Sequence, residues 1–318
     1  MLIALLFLAA CFVAFTNGAN ANFKGVASQY GSGTTTLRTA LYWGTATTFA
    51  GSLAAAFLSH GLINRFGGRG LVPESLIQTP HFLVAVALGA AATSFLATRF
   101  GFPVSTTHAL VGALCGAGLV GSGSDVHFEV LGKLFLAPLF FSPVIAAVMG
   151  GVMYLVMRPL RLAPDHRTRT LDTLHFISSG AASFARGLND TPKMVALLAA
   201  VPNLPVTWGF AVIAVLIALG GLLDADRVAE TLGKKVTAMN PGQGLAASIA
   251  TATLVTTASL HQFPVSTTHV SVGALLGIGV TTRQAKWKTV VEIMLAWVST
   301  VPCAAALGAM FYLLVSRL

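Results

Sequence analysis

Charge is what this sequence has least of. Of 318 residues, 19 are Lys or Arg and 10 are Asp or Glu, so only 9% are charged. A soluble domain carries about 25%. With 55% hydrophobic residues and a mean hydropathy of +0.79, the chain cannot cover a water-facing surface and reads as an integral membrane protein. Its net charge of +9 comes without a basic run interleaved with aromatics, so a nucleic-acid partner is not expected. Basic residues in loops at the cytoplasmic face explain the excess. Cysteine is nearly absent. Cys11, Cys115 and Cys303 lie in apolar runs without CxxC spacing, which leaves no disulfide framework. There is no GxxxxGK[ST] loop, which argues against ATP-driven pumping by this chain. Ala19-Asn20-Ala21 mimics a signal cleavage site, but no Lys or Arg precedes the apolar run from Met1 to Phe15. Residues 1–30 are therefore expected to be part of the mature fold.

What the sequence does have is a repeat. Phe102-Pro103-Val104-Ser105-Thr106-Thr107-His108 returns as Phe263-Pro264-Val265-Ser266-Thr267-Thr268-His269, and the similarity continues through Gly118 and Gly279. About ten apolar segments surround the two copies, five on each side of a polar linker. Gly18-Ala19-Asn20 matches Gly187-Leu188-Asn189, Lys24 matches Lys193, and Pro143 falls where Pro302 does. Five crossings per half would make the second half enter from the opposite side. That is the inverted-topology repeat of secondary transporters, which place substrate near the midplane on discontinuous helices. The expected architecture is an all-α integral membrane protein of two inverted repeats with broken or re-entrant helices. Its parts are residues 1–157, a cytoplasmic linker 158–172, and residues 173–318. With the N-terminus outside, thirteen basic residues fall in inner loops and four in outer ones, counting Lys24 as inner and Arg65 and Arg69 as outer. The positive-inside rule then puts both termini outside the cell.

The repeated motif suggests an anion site. Pro103 and Ser105 fit the start of a half-helix, with Ser105 as N-cap and Thr106 and Thr107 in the first turn. Free N–H groups and the helix dipole there favour an anion. Ser266, Thr267 and Thr268 repeat the arrangement. Simple capping explains one Ser-Thr-Thr and explains the duplication less well. His108 and His269 could donate to the anion or relay protons; packing is the plainer alternative, and no metal pattern is present. Asn189-Asp190-Thr191-Pro192-Lys193 reads as a helix restart, interrupting the segment 174–201. Asp190 and Glu292 are the two carboxylates inside apolar segments, and a midmembrane carboxylate points to function. The expected partners of Asp190 are a coupling cation, Lys193 and Arg186. Asn20 and Asn189 suit either Na⁺ or an anion. Lys24 and Lys193 would attract phosphate or else snorkel to the interface.

At these residues the chain resembles the inorganic phosphate transporter (PiT) family, over nearly its whole length. The resemblance implies cation-coupled import of inorganic phosphate, H⁺ or Na⁺ as coupling ion, no other cofactor, a cell-membrane location and a homodimer. It also implies that Ser105, Thr106, Thr107, Ser266, Thr267, Thr268, Asn20 and Asn189 bind phosphate. The cation would be held by Asp190, Asn20 and Asn189. Sulfate transport is the nearest alternative, because fold alone does not set substrate. One departure stands out: the family pattern has Asn-Asp in both halves, and here the first reads Asn20-Ala21. A carboxylate is lost, so weaker or proton-only coupling, or a channel-like carrier, is also open. An intramembrane enzyme built on Ser105 and His108 lacks an orienting third group, and the chain is expected not to be an enzyme.

Overall fold

The computed structural model describes residues 1–59, 61–66, 68, 70–162, 166–199 and 201–317, with only the backbone of 65, 124 and 134. Arg69 and Asp165 lie outside the described residues, as does the side chain of Arg65. Among the described residues, ten principal helices follow in order. The first five are α1 Leu2–Ala21, α2 Leu37–Leu58, α3 Pro80–Arg99, α4 Thr106–Ser122 and α5 Ala137–Met157. The second five are α6 Arg169–Leu198, α7 Val206–Asp224, α8 Pro241–Leu260, α9 Thr267–Thr281 and α10 Trp287–Val315. No strand occurs among the described residues beyond an isolated bridge between Thr237 and Ala285.

Local sequence fixes many of these ends. Thr36 and Thr168 cap α2 and α6 by accepting from Thr39 and Leu171 N–H. Asn240 and Gln243 cap α8 reciprocally, with Pro241 in the first turn. Among the described residues, five stretches are long and apolar enough to cross a bilayer: Leu2–Gly25, Pro80–Arg99, Phe128–Met157, Val206–Asp224 and Trp287–Val315. Helices α4 and α9, at 17 and 15 residues, fall short of the roughly 20 a span needs. Phe140, Ile145, Leu295 and Val298 stand exposed on α5 and α10, as side chains facing lipid would.

Packing repeats across the two halves. Helix α1 packs on α3 and α7, as α6 packs on α8 and α2. The half-helix α4 lies against α3 and α10, and α9 lies against α8 and α5. Each repeat therefore buries its half-helix against the last helix of the other, and the halves interlock instead of forming separate bodies. The contacts are backbone-close. A Cβ on Gly116 would sit 1.9 Å from the carbonyl oxygen of Ala305, and one on Gly277 would sit 1.9 Å from that of Ala147. Small residues at such crossings let membrane helices pack closely.

One expectation needs correction. Helix α6 runs unbroken through Asn189–Lys193 with Pro192 inside it; there is no restart. Proline removes the N–H that would bond to Leu188. The Ser59 hydroxyl donates to that carbonyl at 2.6 Å instead, and so the freed acceptor is satisfied inside the membrane. In the first repeat the Asn17–Ala21 stretch is helical, and the break comes after it, in the 3₁₀ turn Asn22–Gly25 before the short helix Ala27–Gly31.

Gly116→Ala or Gly277→Ala should push α4 from α10 or α9 from α5. The expected cost is about 1–3 kcal/mol, read as a lower thermal midpoint of the purified protein in detergent.

Candidate functional site

The two Pro-Val-Ser-Thr-Thr-His copies meet inside the interlocked bundle. Ser105 Oγ accepts from His108 N–H at 3.2 Å, and Ser266 Oγ accepts from His269 N–H at 3.2 Å. Both serines are N-caps, with a hydroxyl proton left to donate. The first-turn N–H groups of a helix have no partner within it, so two half-helix starts bring such donors to one place. The threonines of one copy reach the backbone of the other. Thr268 donates to Val104 O at 2.8 Å, and Thr107 to Val265 O at 3.5 Å.

Two lysines complete the crossing. Lys24 Nζ donates to Val104 O at 2.8 Å and to Thr268 Oγ1. Lys193 Nζ contacts Val265 O at 3.0 Å, Thr107 Oγ1 at 2.9 Å and Asn189 Oδ1 at 2.5 Å. Each lysine thus bonds the loop of its own repeat and the first-turn threonine of the other. Neither snorkels: Lys24 is 3% exposed and Lys193 1%. Lys24 was expected in an inner loop; it lies in the core because the turn Asn22–Gly25 is buried against α9 and α7.

Asp190 sits between cations. Its Oδ1 lies 3.0 Å from Lys193 Nζ, and its Oδ2 lies 3.5 Å from Arg186 Nε. Asn17 Nδ2 and Thr267 Oγ1 each donate to Oδ2 at 3.3 Å. Arg186 also donates to Asn17, through the side-chain oxygen and, at 3.3 Å, the carbonyl. Asn17 Nδ2 further donates to Thr106 Oγ1 at 2.8 Å. Asn17 occupies in the first repeat the place of Arg186 in the second, so the two meet across the pseudo-two-fold. Arg186 is a partner of Asp190 expected from the sequence; Asn17 is not among the expected residues. Its position, one residue before Gly18 and so matched to Arg186, is the signal that could have found it.

The other expected residues take supporting places. Asn20 donates to Thr98 Oγ1 at 3.0 Å and Phe102 O at 2.9 Å, and accepts from Val104 N–H at 3.0 Å. All its polar atoms are spent on holding the loop before α4. Asn189 donates to Ser259 at 3.1 Å, the counterpart of Thr98. The rings of His108 and His269 pack edge to face, 4.6 Å between centroids. His269 bonds Leu139 O at 2.9 Å and stacks on Trp297, whose indole N–H donates to Pro103 O. His108 Nδ1 and His269 Nε2 have no hydrogen-bond partner among the described residues. Glu292 is exposed on α10, away from this cluster.

Below Lys24 a polar seam was not anticipated. Ser28 lies 2.7 Å from Ser248 and 3.0 Å from His175 Nε2, and His175 Nδ1 lies 3.0 Å from Thr34. A small cavity lined by Lys24, Ser28, Ser248, Thr251 and Ser271 adjoins it. The corresponding region of the other half is apolar, with Leu6, Ala87 and Leu197 in the places of His175, Ser248 and Ser28.

These features define a class: an inverted-repeat membrane protein with a buried, cationic site where two half-helices meet. The phosphate transporter family matches twice, over residues 17–171 and 163–308, and the chain belongs to that family. It is 31% identical over 319 residues to a Rhizobium meliloti protein named "Probable low-affinity inorganic phosphate transporter", covering 95% of this chain and 93% of the relative. A Bacillus subtilis protein of the same name is 27% identical, over 77% of this chain and 78% of its own. Among solved structures, "The sodium-dependent phosphate transporter" superposes with a TM-score of 0.87 at 22% identity, covering 100% of this chain and 99% of the other. That likeness establishes the fold.

Asp190→Asn would leave Arg186 and Lys193 without their carboxylate. Breaking a buried pair in this way costs about 3–5 kcal/mol. The check is the thermal midpoint in detergent, which should fall well below that of Glu292→Gln.

Proposed function

We propose that the chain is a cation-coupled secondary transporter that imports inorganic phosphate. The observation that carries this reading is the crossed pair of lysines. Each ammonium sits against the first-turn threonine of the opposite half-helix, where helix dipoles already favour negative charge. A tetrahedral oxyanion arriving between the two starts would take up donors from Thr106, Thr107, Thr267 and Thr268, and from both lysines. Thr107, Thr268 and both lysines now bond the Val104 and Val265 carbonyls, and Thr267 and Lys193 also bond Asp190, so substrate would replace bonds of similar kind. Ser105 and Ser266 would keep the half-helices in register, and Asn20 and Asn189 would position the loops.

Asp190 supports phosphate over sulfate. A carboxylate offers about four lone-pair sites, and Oδ1 is engaged by Lys193 alone. It could accept a hydrogen bond from a protonated phosphate oxygen, which sulfate lacks near neutral pH. Coupling to H⁺ is preferred to Na⁺ here. The oxygens suited to a sodium ion, Asp190 Oδ1, Asn189 Oδ1, Val265 O and Val104 O, already bond lysine ammonium groups. His108 and His269, each with a free ring nitrogen, are the proposed proton carriers. The neighbour's name points to sodium, so both ions belong in the test.

In the same reading, residues 1–157 and 173–318 are the two repeats, joined by a cytoplasmic linker at 158–172. Both termini face outward in the cell membrane, with the bilayer around the bundle and a second copy of the chain as partner. The basic residues of the linker support that orientation, and family membership supports the homodimer. No catalytic residue is assigned.

Purified protein in liposomes should concentrate labelled phosphate when the outside is made acidic. An inward sodium gradient at equal pH should do so less well, and tenfold excess sulfate should compete weakly. Lys193→Met should lower the initial rate at least tenfold. Uptake that only follows the phosphate gradient would mean a channel, and full inhibition by sulfate would mean the wrong anion.

A further inference from the structure

The two halves of the site differ at one pair of positions. Lys193 has Asp190 three residues before it, and their side chains pair at 3.0 Å. Lys24 has Ala21 three residues before it. Among the described residues no carboxylate lies within salt-bridge distance of Lys24; Asp190 is taken by Lys193 and Arg186. Among the described residues, the buried Lys, Arg, Asp and Glu side chains are Lys24, Arg186, Asp190 and Lys193. Three basic groups share one carboxylate, and with all of them ionised the surplus is two positive charges.

Such a surplus is costly. A buried ion requires a partner, and a low-dielectric interior does not screen it. The placement adds to the cost. Lys24 Nζ bonds Thr268 in the first turn of α9, at the positive end of that helix. The groups around the ammonium are carbonyl and hydroxyl dipoles, Val104 O and Thr268 Oγ1, with Ser271 Oγ bonded to the Lys24 carbonyl. None carries negative charge. In the second repeat the same arrangement is relieved by Asp190. In the first it is left open, at the point where two half-helix starts converge.

We infer that Lys24 is the substrate-pairing cation of the site: alanine at position 21 leaves its ammonium without an internal counter-ion, and the incoming anion fills that role. The inference rests on the reading of the site as one for a phosphate-type oxyanion, and it goes further in assigning unequal jobs to the two lysines. Lys193 is held by Asp190 and shapes the site. Lys24 supplies charge to the ligand. A doubly charged oxyanion would bring the buried charge to zero with no added cation. The missing carboxylate of the first repeat is then what admits the ligand, and does not mark a lost cation site.

A carboxylate placed at position 21 would compete with substrate for Lys24. The test compares wild type with Ala21→Asp, Ala21→Asn and Lys24→Gln in proteoliposomes, measuring the KM for phosphate in sodium and in choline medium. The expected result is a KM at least tenfold higher for Ala21→Asp and for Lys24→Gln. Ala21→Asn, similar in size and uncharged, should stay within threefold. Ala21→Asp should respond alike in sodium and choline. An unchanged or lower KM for Ala21→Asp overturns the inference, and so does a KM for that variant that sodium restores, since its carboxylate would then be holding a cation. If Ala21→Asp does not fold, Lys24→Gln decides: an unchanged KM overturns the inference. Absence of phosphate uptake by the wild type would instead overturn the transport reading itself.

Discussion

A membrane interior tolerates buried charge only where charges and dipoles answer one another, and this protein gathers its buried ions into one place. Asp190, Arg186 and Lys193 lie on the same face of α6, which is buried from Ala185 to Leu198. Asp190 is reached from α1 by Asn17 and from α9 by Thr267. Three elements are thus tied to one carboxylate. The rest of the fold serves that knot. The short half-helices can exist at midmembrane depth because their starts are satisfied by caps, by each other's loops and by two lysines.

The crossing of the halves has a mechanical consequence. The half-helix of each repeat packs on the terminal helix of the other through glycine contacts, and each lysine bonds both repeats. A movement of one half-helix start must therefore be felt by the loop of the other. Alternating access in inverted-repeat proteins proceeds largely by one bundle rocking against the other around a fixed site. The polar seam of Ser28, Ser248 and His175, absent from the apolar region of the opposite half, gives the two directions away from the site different character.

Much of this was legible in the sequence. The duplicated Phe-Pro-Val-Ser-Thr-Thr-His copies gave the half-helices and their caps, because N-cap preference is local chemistry. The match of Gly18 with Gly187 gave the pairing of halves. The rest depended on contacts no local pattern carries. Pro192 looks like a helix end, yet Ser59, 129 residues earlier, supplies the missing donor to Leu188. Lys24 looks like a loop residue until α9 brings Thr268 to it across 244 positions. Arg186 was noticed beside Asp190, but its bonds to Asn17 join two different first helices. His175 gave no signal, since a histidine near the start of a helix is ordinary until Ser28 and Thr34, from the other repeat, bond its two ring nitrogens.

The most direct measurement is an experimental map of the protein with phosphate bound. Tetrahedral density within hydrogen-bond distance, about 3 Å, of Thr107 Oγ1, Thr268 Oγ1 and Lys24 Nζ is the expected result. Phosphate held elsewhere, with Lys24 still bonded to Val104 and Thr268, would contradict the assignment of the crossed half-helices as the place where the anion sits.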